Sequence, residues 1–125
     1  MCAKKKIMVV DDDQDFVKSV TLILEASGYE TVDAESGERC LEILRYNIPD
    51  LIILDIMMKT ITEGFSIISE LKASPRYQCI PVIMVSSIKD SEGFRFDDSG
   101  IAANDFIDKP FDPQILLEHI RKHIG

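Results

Sequence analysis

The chain has 125 residues, a formal net charge of −8, 46% hydrophobic residues and 29% charged residues. Those values describe one water-facing globular domain that can bury a single core without disulfide or metal staples. The acidic balance speaks against a nucleic-acid or anionic-membrane surface, since both ask for a basic patch.

Three cysteines, Cys2, Cys40 and Cys79, show no Cys-x-x-Cys spacing. They give neither a disulfide framework nor a zinc site. Cys40 and Cys79 fall in or beside apolar segments and read as reduced, partly buried thiols. Lys4 to Lys6 precede only four apolar residues before the first acid. That is too short for a signal-peptide core, and no apolar run approaches a membrane span. The cytoplasm is the expected compartment.

The run at 6–10 is almost unbroken in its apolar character, as in a strand covered on both faces. It leads straight into Asp11, Asp12 and Asp13, with Asp15 just beyond. Phe16, Val20, Ile23 and Leu24 fall at i, i+4, i+7 and i+8, which predicts an amphipathic helix. Asp13 and Asp15 suit its start through the helix dipole, and Gly28 suits the position after its end. Residues 30–34 alternate polar and apolar, as an edge strand would. Ser36 caps a second helix, marked by Leu41 and Leu44 with Cys40 alongside. A second central strand at 51–54 leads into Asp55. Phe65, Ile68 and Leu71 mark a third helix. A strand at 81–85 leads into Ser86. The segment after it holds Gly93, Asp97, Asp98 and Gly100, all poor residues for a helix interior. The fourth helix is therefore expected to be short or irregular. A strand at 105–107 precedes Lys109. Asp112 and Pro113 form an N-cap and first-turn pair for the last helix, marked by Leu116, Leu117, Ile120 and Ile124. Pro49, Pro81 and Pro110 fall at junctions. With no repeat and no linker, residues 1–125 read as one domain, with no output domain in the chain.

Strand alternating with helix predicts a three-layer α/β/α fold around a five-stranded parallel sheet. Ligands of such sheets bind beyond the carboxyl ends of the strands, so the chemistry belongs just after each strand. If the first and third strands are neighbours, Asp11, Asp12 and Asp55 converge with Lys109 on one point. Three negative charges then face one positive, and a single divalent cation balances the remainder. All-oxygen ligands favour Mg²⁺, which keeps waters and bridges readily to phosphate. Asp55 is then a competent nucleophile for phosphoryl transfer, with Lys109 drawing charge from the transferred group. Ser86 offers a hydroxyl that can donate to a phosphoryl oxygen.

At these residues the sequence resembles the receiver domain of two-component response regulators. The matching pieces are VVDDD at 9–13, LIILDIMM at 51–58, VIMVSS at 82–87 and DFIDKPF at 105–111. The resemblance implies a flavodoxin-like sheet in the order 2-1-3-4-5. It implies a phosphoacceptor signalling domain, not an enzyme with its own substrate. Asp55 takes a phosphoryl group from a phosphohistidine on a sensor histidine kinase or a histidine phosphotransfer protein. Asp12 would ligate Mg²⁺ directly, Asp11 directly or through water, and the main-chain carbonyl of Met57 would be a further ligand. Ser86 and Lys109 would hold the phosphoryl oxygens, and Lys109–Pro110 would be a cis peptide bond. Phe106 occupies the place of a rotating aromatic that, with Ser86, would report phosphorylation to a downstream protein. That report goes to the face of the fourth helix, fifth strand and fifth helix, which could also form a homodimer. Met57 and Ile88 flank the phosphoryl position and, being apolar, would shield it from water.

The sequence departs from the family pattern after Asp55. Lys59 stands where a proline is usual, and Gly64 arrives one residue late, so the 56–64 loop should be longer. Two other readings remain open. Asp11-Asp12-Asp13 satisfies the Asp-x-Asp of haloacid dehalogenase phosphatases, with Asp11 as nucleophile, but Asp15 stands in place of the expected Thr or Val. A receiver-like module that never takes phosphate is the second. His119 and His123 have a zinc-compatible i, i+4 spacing but no following Glu and no third ligand, so they are read as solvent-facing.

Overall fold

The computed structural model describes residues 5–55, 67, 69–86, 105–108 and 112–124, with the backbone alone at 86, 105, 106 and 108. The elements in chain order are β1 (Lys6–Val10), α1 (Gln14–Ala26), β2 (Glu30–Ala34), α2 (Gly37–Leu44) and β3 (Leu51–Asp55). Helical residues at 67 and 69–73 form α3. Then come β4 (Val82–Ser86), β5 (Asp105–Asp108) and α4 (Pro113–Ile124). The 88–104 segment, where a short or irregular fourth helix is expected, lies outside the described residues. So does the 56–64 loop. Thus α4 is the helix that the sequence reading counts fifth.

The strands form one sheet in the order β2-β1-β3-β4-β5, and every neighbouring pair is parallel. Side chains alternate across it with a period of two, and the two faces carry separate cores. Met8, Val10, Ile52, Leu54, Val82 and Met84 face α2 and α3, where Cys40, Ile43, Leu44, Ile67 and Leu71 cover them. Ile7, Val9, Leu51, Ile53, Ile83 and Val85 face α1 and α4. There the cover is Val17, Val20, Leu24, Leu116, Leu117 and Ile120. The central strands are apolar on both sides because both sides are covered. The edge strand β2 alternates because only part of it is.

Caps set where the helices begin and end. Asp13 accepts from the N–H groups of Asp15 and Phe16 at the start of α1. At its end, the Gly28 N–H donates to Glu25 O and the Tyr29 N–H to Leu24 O, a Schellman pair. Gly28 has φ of +95°, which a side chain would resist. Ser36 Oγ accepts from the Arg39 N–H at α2. The Asp112 Oδ1 accepts from the Gln114 N–H at 2.9 Å at α4.

Some expectations are corrected. β4 begins at Val82, not at Pro81: proline has no N–H for the ladder, and its carbonyl accepts from Ile52 at 2.9 Å. In α3 the core residues are Ile67 and Leu71, while Phe65 and Ile68 lie outside the described residues. Cys40 is buried, but Cys79 is exposed because the 75–79 turn carries it to the surface. His119 and His123 are each half-buried instead of solvent-facing.

Candidate metal centre

The register of the sheet brings the acids together. Val10 pairs with Ala34 on one side and with Leu54 on the other. The next residue on each of the two central strands is an aspartate. Asp11 extends the ladder one step, its N–H donating to Ala34 O at 3.0 Å. Asp55 closes β3 level with Val85. Asp11 is fully buried, Asp55 is 5% exposed, and Asp12 is exposed. One carboxylate oxygen from each of Asp11, Asp12 and Asp55 lies within 4.8 Å of the others.

Two like charges about 4 Å apart repel by about 4 kcal/mol at an effective dielectric of about 20. Two of these carboxylates are buried, so solvent screens them less than it would on an open surface. The donor set is hard oxygen. An octahedral ion with bonds of about 2.1 Å spaces its ligands by roughly 3 to 4 Å. The three oxygens therefore fit a Mg²⁺-sized ion with small rotations or an intervening water. Asp12 is the exposed member of the cluster, so solvent can complete the coordination of an ion from its side.

The turn that leaves β1 is ordered by its own side chains. Asp11 Oδ1 accepts from the Asp13 N–H at 2.9 Å, and Asp13 caps α1. The sequence reading saw Asp13 as a cap but missed this bond. The i, i+2 spacing of Asp11 and Asp13 is the signal for it, since aspartate readily accepts from the backbone two residues on.

Ser86 ends β4, one residue beyond the Val85 that pairs with Asp55, and stands level with Asp108 of β5. Its backbone is thus on the same rim as the acids. Lys109 and Pro110 follow Asp108 directly and, like Met57 and Ile88, lie outside the described residues. Phe106 pairs with Met84 in β5. Its side chain, on which the switch role rests, is outside the described residues as well. An open groove of about 480 Å³ between α1 and β2 holds none of the three acids. Its mixed lining includes Gln14, Lys18, Glu25 and Asp33. No helix among the described residues is long and apolar enough to cross a membrane.

The family model for the response regulator receiver domain matches residues 7–121. A probable transcriptional regulator ycf27 of Cyanophora paradoxa is 36% identical over 118 residues, which are 94% of this chain and 47% of that protein. The response regulator PleD of Caulobacter vibrioides is 34% identical over 116 residues, 93% of this chain and 25% of that protein. The chain thus spans at most about half the length of these curated relatives. Among solved structures, a putative response regulator from Chloroflexus aurantiacus superposes with a TM-score of 0.88 at 28% identity, covering 98% of both chains. The chemotaxis response regulator CheY4 of Vibrio cholerae gives 0.85 at 25% identity, covering 96% of this chain and 98% of that one. The phosphatase reading of Asp11-Asp12-Asp13 finds no support in any of these matches.

Proposed function

This chain belongs to the response regulator receiver family, and we propose that Asp55 is its phosphoacceptor, charged in a Mg²⁺-dependent reaction by a phosphohistidine of a partner kinase or phosphotransfer protein. The observation that carries the reading is the convergence of Asp11, Asp12 and Asp55 within 4.8 Å at the carboxyl edge of the sheet. Asp11, Asp12 and Asp55 would hold the ion, with the Met57 carbonyl as a further ligand. When bound, the ion offsets the local negative charge and draws charge from the phosphoryl oxygens.

Asp55 sits at the end of a strand buried along its whole length. That rigid base holds its carboxylate in one place, so positioning supplies much of the rate. A carboxylate oxygen of Asp55 forms the new O–P bond. The P–N bond of the phosphohistidine breaks, and its electron pair stays on the imidazole nitrogen, which is protonated as it leaves. The Ser86 hydroxyl and the Lys109 ammonium donate to the phosphoryl oxygens as charge shifts onto them. Met57 and Ile88 limit water at the product. Phe106, with Ser86, transmits the change to a downstream protein or a second copy, and a cis bond at Lys109–Pro110 is what the family resemblance implies. The protein works in the cytoplasm.

Intact mass after incubation with acetyl phosphate tests the core of this reading. A gain of one phosphoryl group is expected with Mg²⁺, and none without it or in Asp55→Ala. A label on Asp11 would overturn the assignment. No label despite measured Mg²⁺ binding would favour a module that does not take phosphate from small donors.

A further inference from the structure

The turn between β1 and α1 is two side-chain hooks in series. Asp11 Oδ1 accepts from the Asp13 N–H at 2.9 Å. Asp13 Oδ1 accepts in turn from the Asp15 N–H at 3.0 Å and the Phe16 N–H at 3.3 Å. Asp13 itself keeps an extended backbone, φ −90° and ψ 103°, as an N-cap does. Behind it, α1 is fixed to the sheet by Val17, Val20 and Leu24, all buried. Each hook orients the next group. The helix fixes the Asp13 carboxylate, the carboxylate fixes the Asp13 backbone, and the Asp13 N–H fixes one oxygen of Asp11. A carboxylate is planar, so holding one oxygen sets where the other points.

We propose that Asp13 is a positioning residue for the metal centre: by capping α1 it holds its own N–H on Asp11, and so orients the buried carboxylate toward the cation. The role is geometric and not one of charge. The Asp13 side chain is exposed, so its charge is screened by solvent and salt. The inference rests on the reading of Asp11, Asp12 and Asp55 as the Mg²⁺ site, and it adds the residue that aligns one of them. Groups behind metal ligands act in this way in many sites, tuning affinity without touching the ion.

The test is Mg²⁺ binding to the metal-free full chain by isothermal titration calorimetry. The proteins are wild type, Asp13→Ala, Asp13→Asn and Asp15→Asn. Asp13→Ala keeps the backbone N–H but removes the capping carboxylate that holds it in place, and is expected to weaken Mg²⁺ affinity by about tenfold, the low end for loss of a partner behind a ligand. Asp13→Asn loses the charge but keeps a capping oxygen, and its affinity is expected to stay near that of wild type. Asp15→Asn loses an equal charge nearby and is expected to behave like Asp13→Asn. An asparagine variant as weak as the alanine variant would overturn the proposal, because charge would then be the cause. Equal binding by all four proteins would overturn it and leave the metal site standing. Wild type that binds no Mg²⁺ would overturn the metal site and this inference together. A measurement on wild type stands apart from the folding of any variant. The Asp13 amide should be protected from hydrogen exchange both with and without Mg²⁺. Free exchange in either state would overturn the proposed arrangement.

Discussion

Cys40 shows how one buried side chain ties stability to pH. Burial pushes its thiol up to about 12, from an ordinary value of 9.0. Unfolded, the thiol ionises from about pH 9; folded, it stays protonated to about pH 12. The fold therefore binds the proton more tightly than the unfolded chain does. Its stabilising share is complete below pH 9 and is lost as pH rises toward 12, at up to about 1.4 kcal/mol per pH unit. Urea unfolding at about pH 8 and about pH 10 should show a smaller loss in Cys40→Ala than in wild type. An equal loss would place the alkaline sensitivity elsewhere. Cys79, by contrast, is left exposed by the turn that carries it. Each cysteine has polar residues before it and an apolar residue directly after it, Leu41 or Ile80, so local composition could not separate them. The difference is made by α2 facing the sheet, where Cys40 Sγ lies 3.6 Å from Met8 Sδ.

At the scale of the elements, the terminal residues are the informative ones. The apolar pattern ends the third, fourth and fifth strands at residues 54, 85 and 107. Backbone pairing carries each of them one residue further, to Asp55, Ser86 and Asp108. Hydrogen bonding along the ladder does not depend on side-chain polarity, whereas the apolar pattern does. That one extra residue holds Asp55 and Ser86 on the rim of the sheet. Helix ends were more legible, because caps are written in particular residue types. Gly28 allows a clean measurement of one of them. Nothing lies within 4 Å of a Cβ built there, so Gly28→Ala meets no clash. Its left-handed φ remains, and the substitution should cost about 1 kcal/mol. A shift in the urea midpoint with an unchanged slope would confirm a backbone effect. No shift would mean that the turn relaxes away from that conformation.

For the whole molecule, stability rests on two cores that share one sheet. Leu54 is fully buried against α2 and α3, so Leu54→Ala should cost about 3 kcal/mol in urea unfolding. Leu22, the same residue type on α1, is 62% exposed, and its alanine variant should stay within about 0.5 kcal/mol of wild type. Comparable losses at the two sites would contradict the two-layer packing. Which leucine matters was readable from periodicity. What no period could reveal is which strand lies beside which, since strand order is decided by pairings far apart in the chain. That order was reached only through the four motif pieces together. Ile7 pairs with Leu51, across all of α1, β2 and α2. A nascent chain that has released β1 from the ribosome carries Asp11 and Asp12 but no centre. The third acid arrives only when β3 emerges and slots in beside β1. Synthesis delivers such units gradually, from the N-terminus onward, and non-local parallel pairing is slow to form. The same central pairing that closes the core therefore also decides when, during the making of the protein, the three acids can first stand together.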